Sequence, residues 1–247
     1  MSNDNRKVAL VFGGSRGIGA AIVSRLAEDG YTVPFTYVSR PDAADELAAK
    51  VRDAGGTALP IKADSVSQGD IKAAVGTTID RFGRLDVVVV NAGVARMGMV
   101  DAVPVEDLDL QLDVNVRGVF LAIQAAVPHL KEGGRIITIG SNIALRSGFP
   151  GASVYQTTKA AVAGMVKGLA LDLAPRGITI NNVQPGPTKT DMISSLGNEG
   201  MDMVMGLVPL KRMAEPAEIA GLVSYIARDE AGYVTGASLT IDGGFAL

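Results

Sequence analysis

Cysteine is absent from these 247 residues, and histidine occurs once, at His129. Without thiols there is no disulfide framework, no thiolate nucleophile and no cysteine-ligated metal. A Ser-His-Asp triad or a multi-histidine metal centre would rest on His129 alone. That residue lies in Val127-Pro128-His129-Leu130, where a helix is expected to end and a histidine caps or faces solvent. No metal site is expected. A basic block is missing as well: the net charge is −3, which leaves nucleic acids and anionic membranes without an electrostatic footprint. No apolar run approaches ~18 residues, the length of a spanning helix, and the first seven residues are polar. These absences point to a soluble, cytoplasmic protein whose partner is a small molecule.

Apolar residues make up 47% of the chain, enough for a full core. Strand-like runs alternate with amphipathic stretches. The strands are expected at Val8–Phe12, Thr32–Tyr37, Thr57–Ile61, Leu85–Val90, Arg135–Ile139, Thr179–Val183 and Ser238–Ile241. Helices are expected at Ala20–Asp29, Asp42–Ala54, Ser67–Arg81, Val105–Leu130, Ser153–Leu173 and Pro216–Ala227. This alternation predicts an α/β fold: a doubly wound, parallel, seven-stranded sheet with helices on both faces. Residues 1–247 read as one dinucleotide-binding domain, with no linker or repeat. Pro34 falls inside the second strand, where a missing ladder donor predicts a bulge or an edge position.

Between the first strand and first helix stands Gly13-Gly14-Ser15-Arg16-Gly17-Ile18-Gly19. Glycines there permit a tight turn and close approach of backbone to a pyrophosphate, and the helix N-terminus beyond them supplies free N–H groups. Gly13, Ser15, Arg16, Gly17, Ile18 and Gly19 are the expected contacts. The charge at the end of the second strand bears on cofactor choice. NAD sites place a carboxylate about 20 residues on, to accept from the ribose 2′-OH. Here the strand runs into Val38-Ser39-Arg40. Ser39, Arg40 and Arg16 suit a 2′-phosphate, which favours NADPH over NADH.

Tyr155 and Lys159 lie one helical turn apart, downstream of Ser141. A free phenol, with pKa near ~10, is a poor acid–base at neutral pH unless a cation lowers it, and the Lys159 ammonium is placed to do so. Ser141, directly after the fifth strand, can donate to a carbonyl oxygen. The set reads as apparatus for moving a proton while a hydride reaches carbon.

The G-x-x-x-G-x-G spacing resembles the short-chain dehydrogenase/reductase family, and further motifs extend the resemblance over essentially the whole chain: Asn91-Ala92-Gly93, Asn115, Ser141, Tyr155-x-x-x-Lys159, Pro185-Gly186 and Asp242-Gly243-Gly244. The nearest subfamily is that of the 3-oxoacyl-thioester reductases. The resemblance implies that Lys159 also binds the nicotinamide ribose and that Asn115 holds a water linking Lys159 to solvent. It further implies that Asp64, with Ser65, clamps adenine, and that Asn91, Ala92 and Gly93 line the cofactor. By the same token Thr188 and Thr190, after Pro185-Gly186, meet the nicotinamide end. Two departures stand out. Phe12 replaces the usual threonine, and the interval from Ser141 to Tyr155 is one residue longer than usual.

The segment at about 188–213 falls where the family carries a substrate lid. Its Met192, Ile193, Leu196, Met201, Met203, Val204, Met205 and Leu207 offer an adaptable apolar lining. Ser141, Asn142, Leu145, Phe149, Tyr155 and Met192 are the candidate substrate contacts. An uncharged ketone fits such a wall, so the expected activity is NADPH-dependent reduction of a ketone to a secondary alcohol. Lys131-Glu132-Gly133-Gly134 lacks the paired basic residues expected for an acyl carrier protein, leaving Arg176 as half of such a patch. The alternatives are reduction of a carrier-bound 3-oxoacyl thioester and a non-catalytic nucleotide sensor. Family members commonly assemble as homotetramers, and the small-residue face Ala160, Ala161, Gly164 and Gly168 suits close helix packing, between subunits or within one.

Overall fold

The computed structural model describes residues 6–194 and 197–247. Seven strands form one sheet: β1 (Ala9–Phe12), β2 (Thr32–Tyr37), β3 (Thr57–Lys62), β4 (Leu85–Val90), β5 (Leu130–Ile139), β6 (Thr179–Pro185) and β7 (Ser238–Ile241). The order is β3-β2-β1-β4-β5-β6-β7, and every neighbouring pair is parallel. The expected Rossmann-type architecture is therefore the observed one. The order reverses between β1 and β4, and the crevice at the carboxyl ends of these strands is where such sheets bind ligands.

Two apolar layers cover the sheet. Leu10 and Phe12 point to one side, with Val88 and Val90, under α3 (Gln68–Phe82), α5 (Val119–Ala126) and α6 (Ser153–Leu173); α4 (Val105–Leu112) precedes α5 and contributes no residue to this layer. Ala9 and Val11 point to the other, with Val87 and Val89, under α1 (Gly17–Glu28), α2 (Pro41–Asp53) and α9 (Pro216–Ala227). Burial on both faces is why β1 and β4 read as unbroken apolar runs instead of alternating ones. Between β6 and α9 come two short helices, α7 (Asp191–Ser194) and α8 (Gly197–Gly206).

Three expectations are corrected. Helix α1 begins at Gly17, so the last glycines of the loop form its first turn, where glycine propensity had argued against helix. The helix expected over Val105–Leu130 is interrupted: α4 passes into a π-helical turn at Asp113–Gly118, then α5, then a 3₁₀ turn at Val127–His129. Taken end to end, Val105–His129 is long and apolar enough to cross a bilayer, which Asp113 and Arg117 obscured in the sequence; in the fold it lies on the sheet and buries Val119, Ala122, Ile123 and Ala126.

Pro34 is the third. It sits on neither an edge nor a bulge, for β2 lies between β1 and β3 and pairs with β3 continuously, Pro34 opposite Leu59. The Thr32 N–H donates to the Lys7 carbonyl and the Thr36 carbonyl accepts from Gly14, so even-numbered positions face the β1 side. Pro34 brings no donor there, and the contact with β1 thins to the bridge Val8↔Thr32 and the pair Val11↔Phe35.

Candidate active site

At the mouth of the β1/β4 crevice the glycine loop is held from three sides. The Gly13 N–H donates to Thr36 Oγ1 at 2.9 Å, the Gly14 N–H to the Thr36 carbonyl at 2.9 Å, and Asn91 Nδ2 donates to the Gly13 carbonyl at 2.6 Å. Gly13 adopts φ +75°, and a Cβ on it would fall 2.8 Å from the Ala92 backbone; one on Gly19 would fall 2.0 Å from the Gly13 carbonyl oxygen. The chain can make this turn only with glycine at both places. Arg16, the N-cap of α1, makes no side-chain cap bond, and no acidic side chain occupies the first turn, so the helix end stays available to an anion.

A groove runs from this turn along the ends of β2, β3 and β4. It is lined by Gly13, Ser15, Arg16, Gly17, Ile18, Ser39, Arg40, Asp64, Ser65, Asn91, Ala92 and Gly93, together with Thr190 and Met192. Thr36, Tyr37, Val38, Leu110 and Val114 line it too and were not foreseen. No carboxylate stands at the end of β2: Ser39 and Arg40 are exposed at the rim. Arg16 reaches across to Asp191, at 3.5 Å. Asp64 accepts the Val66 N–H at 3.1 Å, which fixes one carboxylate oxygen against its own loop.

Ser141, Tyr155 and Lys159 converge on a second cavity, continuous in its lining with the groove through Ile18, Asn91, Gly93, Thr190 and Met192. Ser141 leaves the end of β5, and its Oγ accepts the Ile143 N–H at 3.3 Å. Tyr155 lies in the first turn of α6 and lines the same cavity as Ser141. One turn on, Lys159 is buried and donates to the Ile139 carbonyl at 3.0 Å, its Nζ 5.6 Å from the Tyr155 ring centroid. Burial pushes the Tyr155 hydroxyl up to about 12, outweighing the Ser141 side chain that lowers it. Burial pushes Lys159 down to about 8. The expected lowering of Tyr155 by Lys159 is thus not seen: the ammonium is directed at a backbone carbonyl, and enclosure dominates the phenol. At neutral pH Tyr155 is a phenol and Lys159 an ammonium, the forms that suit donation of a proton to an oxygen.

Asn115 comes from the π-helical turn and is fully enclosed. Its Oδ1 accepts the Val94 N–H at 2.9 Å, and its Nδ2 donates to the Val94 carbonyl at 2.8 Å and to Thr158 Oγ1 at 3.1 Å. It clamps the chain just after Asn91-Ala92-Gly93 and links it to α6. Gly93 separates it from Lys159: a Cβ there would fall 3.3 Å from Asn115 Oδ1 and 3.5 Å from Lys159 Nζ.

Pro185, Gly186, Thr188 and Thr190 line one wall of this cavity, Asn142, Phe149 and Met192 another. Leu145 does not join them; it is 59% exposed on the outer side of the loop after β5, because the 3₁₀ turn Asn142–Ala144 rotates it away. Of the other apolar candidates between 192 and 207, Ile193 and Val204 line the cavity, whereas Met201, Met203, Met205 and Leu207 do not. Leu196 lies outside the described residues. Ile143 and Phe245 complete the wall, and nothing in local sequence pattern brought Phe245 to it.

A protein-family model described as enoyl-(acyl carrier protein) reductase matches residues 13–246. A short-chain dehydrogenase/reductase from Serratia marcescens superposes with TM-score 0.95 at 51% identity, over 98% of both chains. The chain belongs to the short-chain dehydrogenase/reductase family. A short-chain dehydrogenase from Burkholderia cenocepacia, solved in complex with NADP, is 43% identical over 98% of both chains, with TM-score 0.94. The cyclic-di-GMP-binding biofilm dispersal mediator protein of Escherichia coli is 43% identical over 97% of both chains. Against the family pattern, Phe12 is buried in the core, and Thr36, from the neighbouring strand, accepts a hydrogen bond from the glycine loop.

Proposed function

We propose that this short-chain dehydrogenase/reductase reduces a ketone to a secondary alcohol with NADPH. The observation that carries the reading is the meeting of a protonated Tyr155 phenol and the Ser141 hydroxyl in a cavity where, among the described residues, Lys159 is the one charged lining residue. NADPH, when bound, supplies a hydride to the carbonyl carbon. The turn that would hold its pyrophosphate depends on Gly13 and Gly19, where a Cβ would collide with the Ala92 backbone or the Gly13 carbonyl oxygen. Ser141 and the Tyr155 hydroxyl hold the carbonyl oxygen, and Tyr155 releases its proton there as negative charge develops. Lys159, anchored by the Ile139 carbonyl, offers its remaining N–H groups to the ribose hydroxyls. Asn115 fixes the strand end that carries Gly93. The segment 188–213 acts as a lid over the cavity.

Selection of NADPH rests on Arg40 and Ser39 at the end of β2, where no carboxylate stands, on Arg16, which would exchange Asp191 for the phosphate, and on the NADP complex of the Burkholderia relative. The test is consumption of NADPH and NADH against aryl ketones, keto esters and 3-oxoacyl thioesters, with Tyr155→Phe alongside. Turnover retained by Tyr155→Phe would overturn the assignment of the acid. Tight NADPH binding without turnover of any substrate would overturn the reductase reading.

Carrier-bound thioesters are the weaker alternative. The Arg176 guanidinium donates back to the Val127 and Leu130 carbonyls at 3.0 and 2.9 Å, so it is drawn towards its own chain and away from an acidic carrier. The Escherichia coli relative favours a second reading, a nucleotide sensor that keeps the fold without turnover. In that case Tyr155→Phe keeps the biological output. We place the protein in the cytoplasm, where NADPH is held reduced, and as a homotetramer. Ala160, Ala161, Gly164 and Gly168 all face outward, and a Cβ on Gly164 or Gly168 would meet nothing within 4 Å, which favours packing between subunits over packing within one.

A further inference from the structure

We infer that the C-terminal turn 242–247 is a specificity wall for the substrate, with Phe245 setting the length of ketone accepted and Arg146 and Asp242 holding it in place. The inference rests on the reductase reading and adds to it the size class of the substrate.

Phe245 is 4% exposed, although it stands only two residues from Leu247. Its ring forms part of the cavity wall beside Ile143 and Phe149. The packing behind it is tight: a Cβ on Gly148 would fall 2.5 Å from Phe245 Cζ and 2.7 Å from Leu207 Cδ1. Gly148 and Leu207 thus back the tip of the ring, which stands as part of the cavity wall. Its neighbours Ile143 and Phe149 are apolar, and among the described residues Lys159 is the one cation lining the cavity, where it donates to the Ile139 carbonyl.

Two side chains fix the turn. Asp242 Oδ1 accepts the Gly244 N–H and Oδ2 the Ala246 N–H, each at 2.9 Å. Gly243 and Gly244 adopt φ +64° and +89°, which lets the chain curl round that carboxylate. Asn142, the neighbour of Ser141, donates to the same carboxylate at 3.4 Å. From the other side, Arg146 Nη1 donates to the Phe245 carbonyl at 3.1 Å and the Leu247 carbonyl at 2.6 Å. Arg146 lies in the lengthened interval between Ser141 and Tyr155, so the loop that departs from the family spacing is the loop that grips the turn. The substrate class that fits is an uncharged ketone with one compact apolar substituent reaching Phe245.

The experiment measures kcat/KM for alkyl aryl ketones of rising alkyl length, from methyl to pentyl, in the wild type, Phe245→Ala, Phe245→Leu and Arg146→Ala. NADPH affinity is measured in each by cofactor fluorescence. The ratio of kcat/KM for the pentyl over the methyl ketone is expected to rise at least tenfold in Phe245→Ala and by a smaller factor in Phe245→Leu. In Arg146→Ala the KM for the methyl ketone is expected to rise severalfold with kcat little changed, as befits a positioning residue. NADPH affinity stays within about twofold in all of them. Variant profiles parallel to the wild type would overturn the inference. If the wild type reduces none of the series, aryl ketones are excluded as the substrate class, while the reductase reading stands or falls on the keto esters and thioesters. The wall is then read by thermal shift with NADPH present: long ketones that stabilise Phe245→Ala but not the wild type support it, and equal shifts overturn it.

Discussion

Tyr155 and Lys159 share one enclosure and answer it in opposite directions, because burial penalises the charged form of each. The free enzyme's kcat/KM for reduction should therefore fall above pH about 8, as Lys159 loses the proton that makes it a donor. The Tyr155 hydroxyl, near 12, imposes no limit below that. A pH–rate profile flat through pH 9 would contradict this assignment. Tyr155→Phe should lower kcat by a factor of about 10² to 10⁴, the usual contribution of a positioned acid, with NADPH affinity retained. Arg40→Asp should reverse the cofactor preference, read as the ratio of kcat/KM for NADPH over NADH; an unchanged ratio would remove Arg40 from the 2′-phosphate site. The pairing of Tyr155 with Lys159 was legible in the sequence because helical periodicity fixes it locally. The contribution of Thr36 was not, since it arises only when β2 is laid beside the glycine loop by parallel pairing. Phe245 was hidden for a similar reason: its place in the cavity depends on contacts with Gly148 and Arg146, about a hundred residues away.

Among the elements, α6, α9 and β7 appear with the bounds their sequences announce. Clear signals mark these limits, such as Pro216 in the first turn of α9 and the αL glycine Gly177 beyond α6. The composite helix Val105–His129 defeats the same method, because a π-helical turn adds a residue to the ladder without changing composition. That turn delivers Asn115 to Val94. Asn115→Leu should leave the Val94 N–H and carbonyl without their partners and destabilise the fold by about 1–3 kcal/mol, measured by urea unfolding. If the stability loss is below ~0.5 kcal/mol, water has replaced the amide and the clamp is not structural. Pro34 shows the converse limit. A single residue type announced a defect in the sheet correctly but misplaced it, since position within the sheet is set by the order of strands and not by the strand itself.

For the whole molecule, the same burial links stability to pH. Lys159 falls from its ordinary 10.5 to about 8 on folding, so between those values the unfolded chain carries the extra proton and stability rises with pH. The slope from this one group is at most about 1.4 kcal/mol per pH unit. Tyr155 acts oppositely above pH 10, where the unfolded chain has lost a proton that the folded chain keeps up to about 12. The urea midpoint should accordingly climb from pH 8 to 10 and fall beyond, and Lys159→Met should flatten the climb. Light scattering checks the assembly: a homotetramer that Gly164→Glu dissociates is expected, and a wild-type monomer at micromolar concentration would exclude it. The ladder thinned at Pro34 has a consequence for how the molecule opens. β2 and β3 are stitched to each other along six residue pairs but to β1 by few, so β2, α2 and β3 form an outer leaf hinged on Thr36. Amide hydrogens across β2 and β3 should exchange together, and sooner than those of β1 and β4, making the adenosine side of the groove the first part of the molecule to breathe.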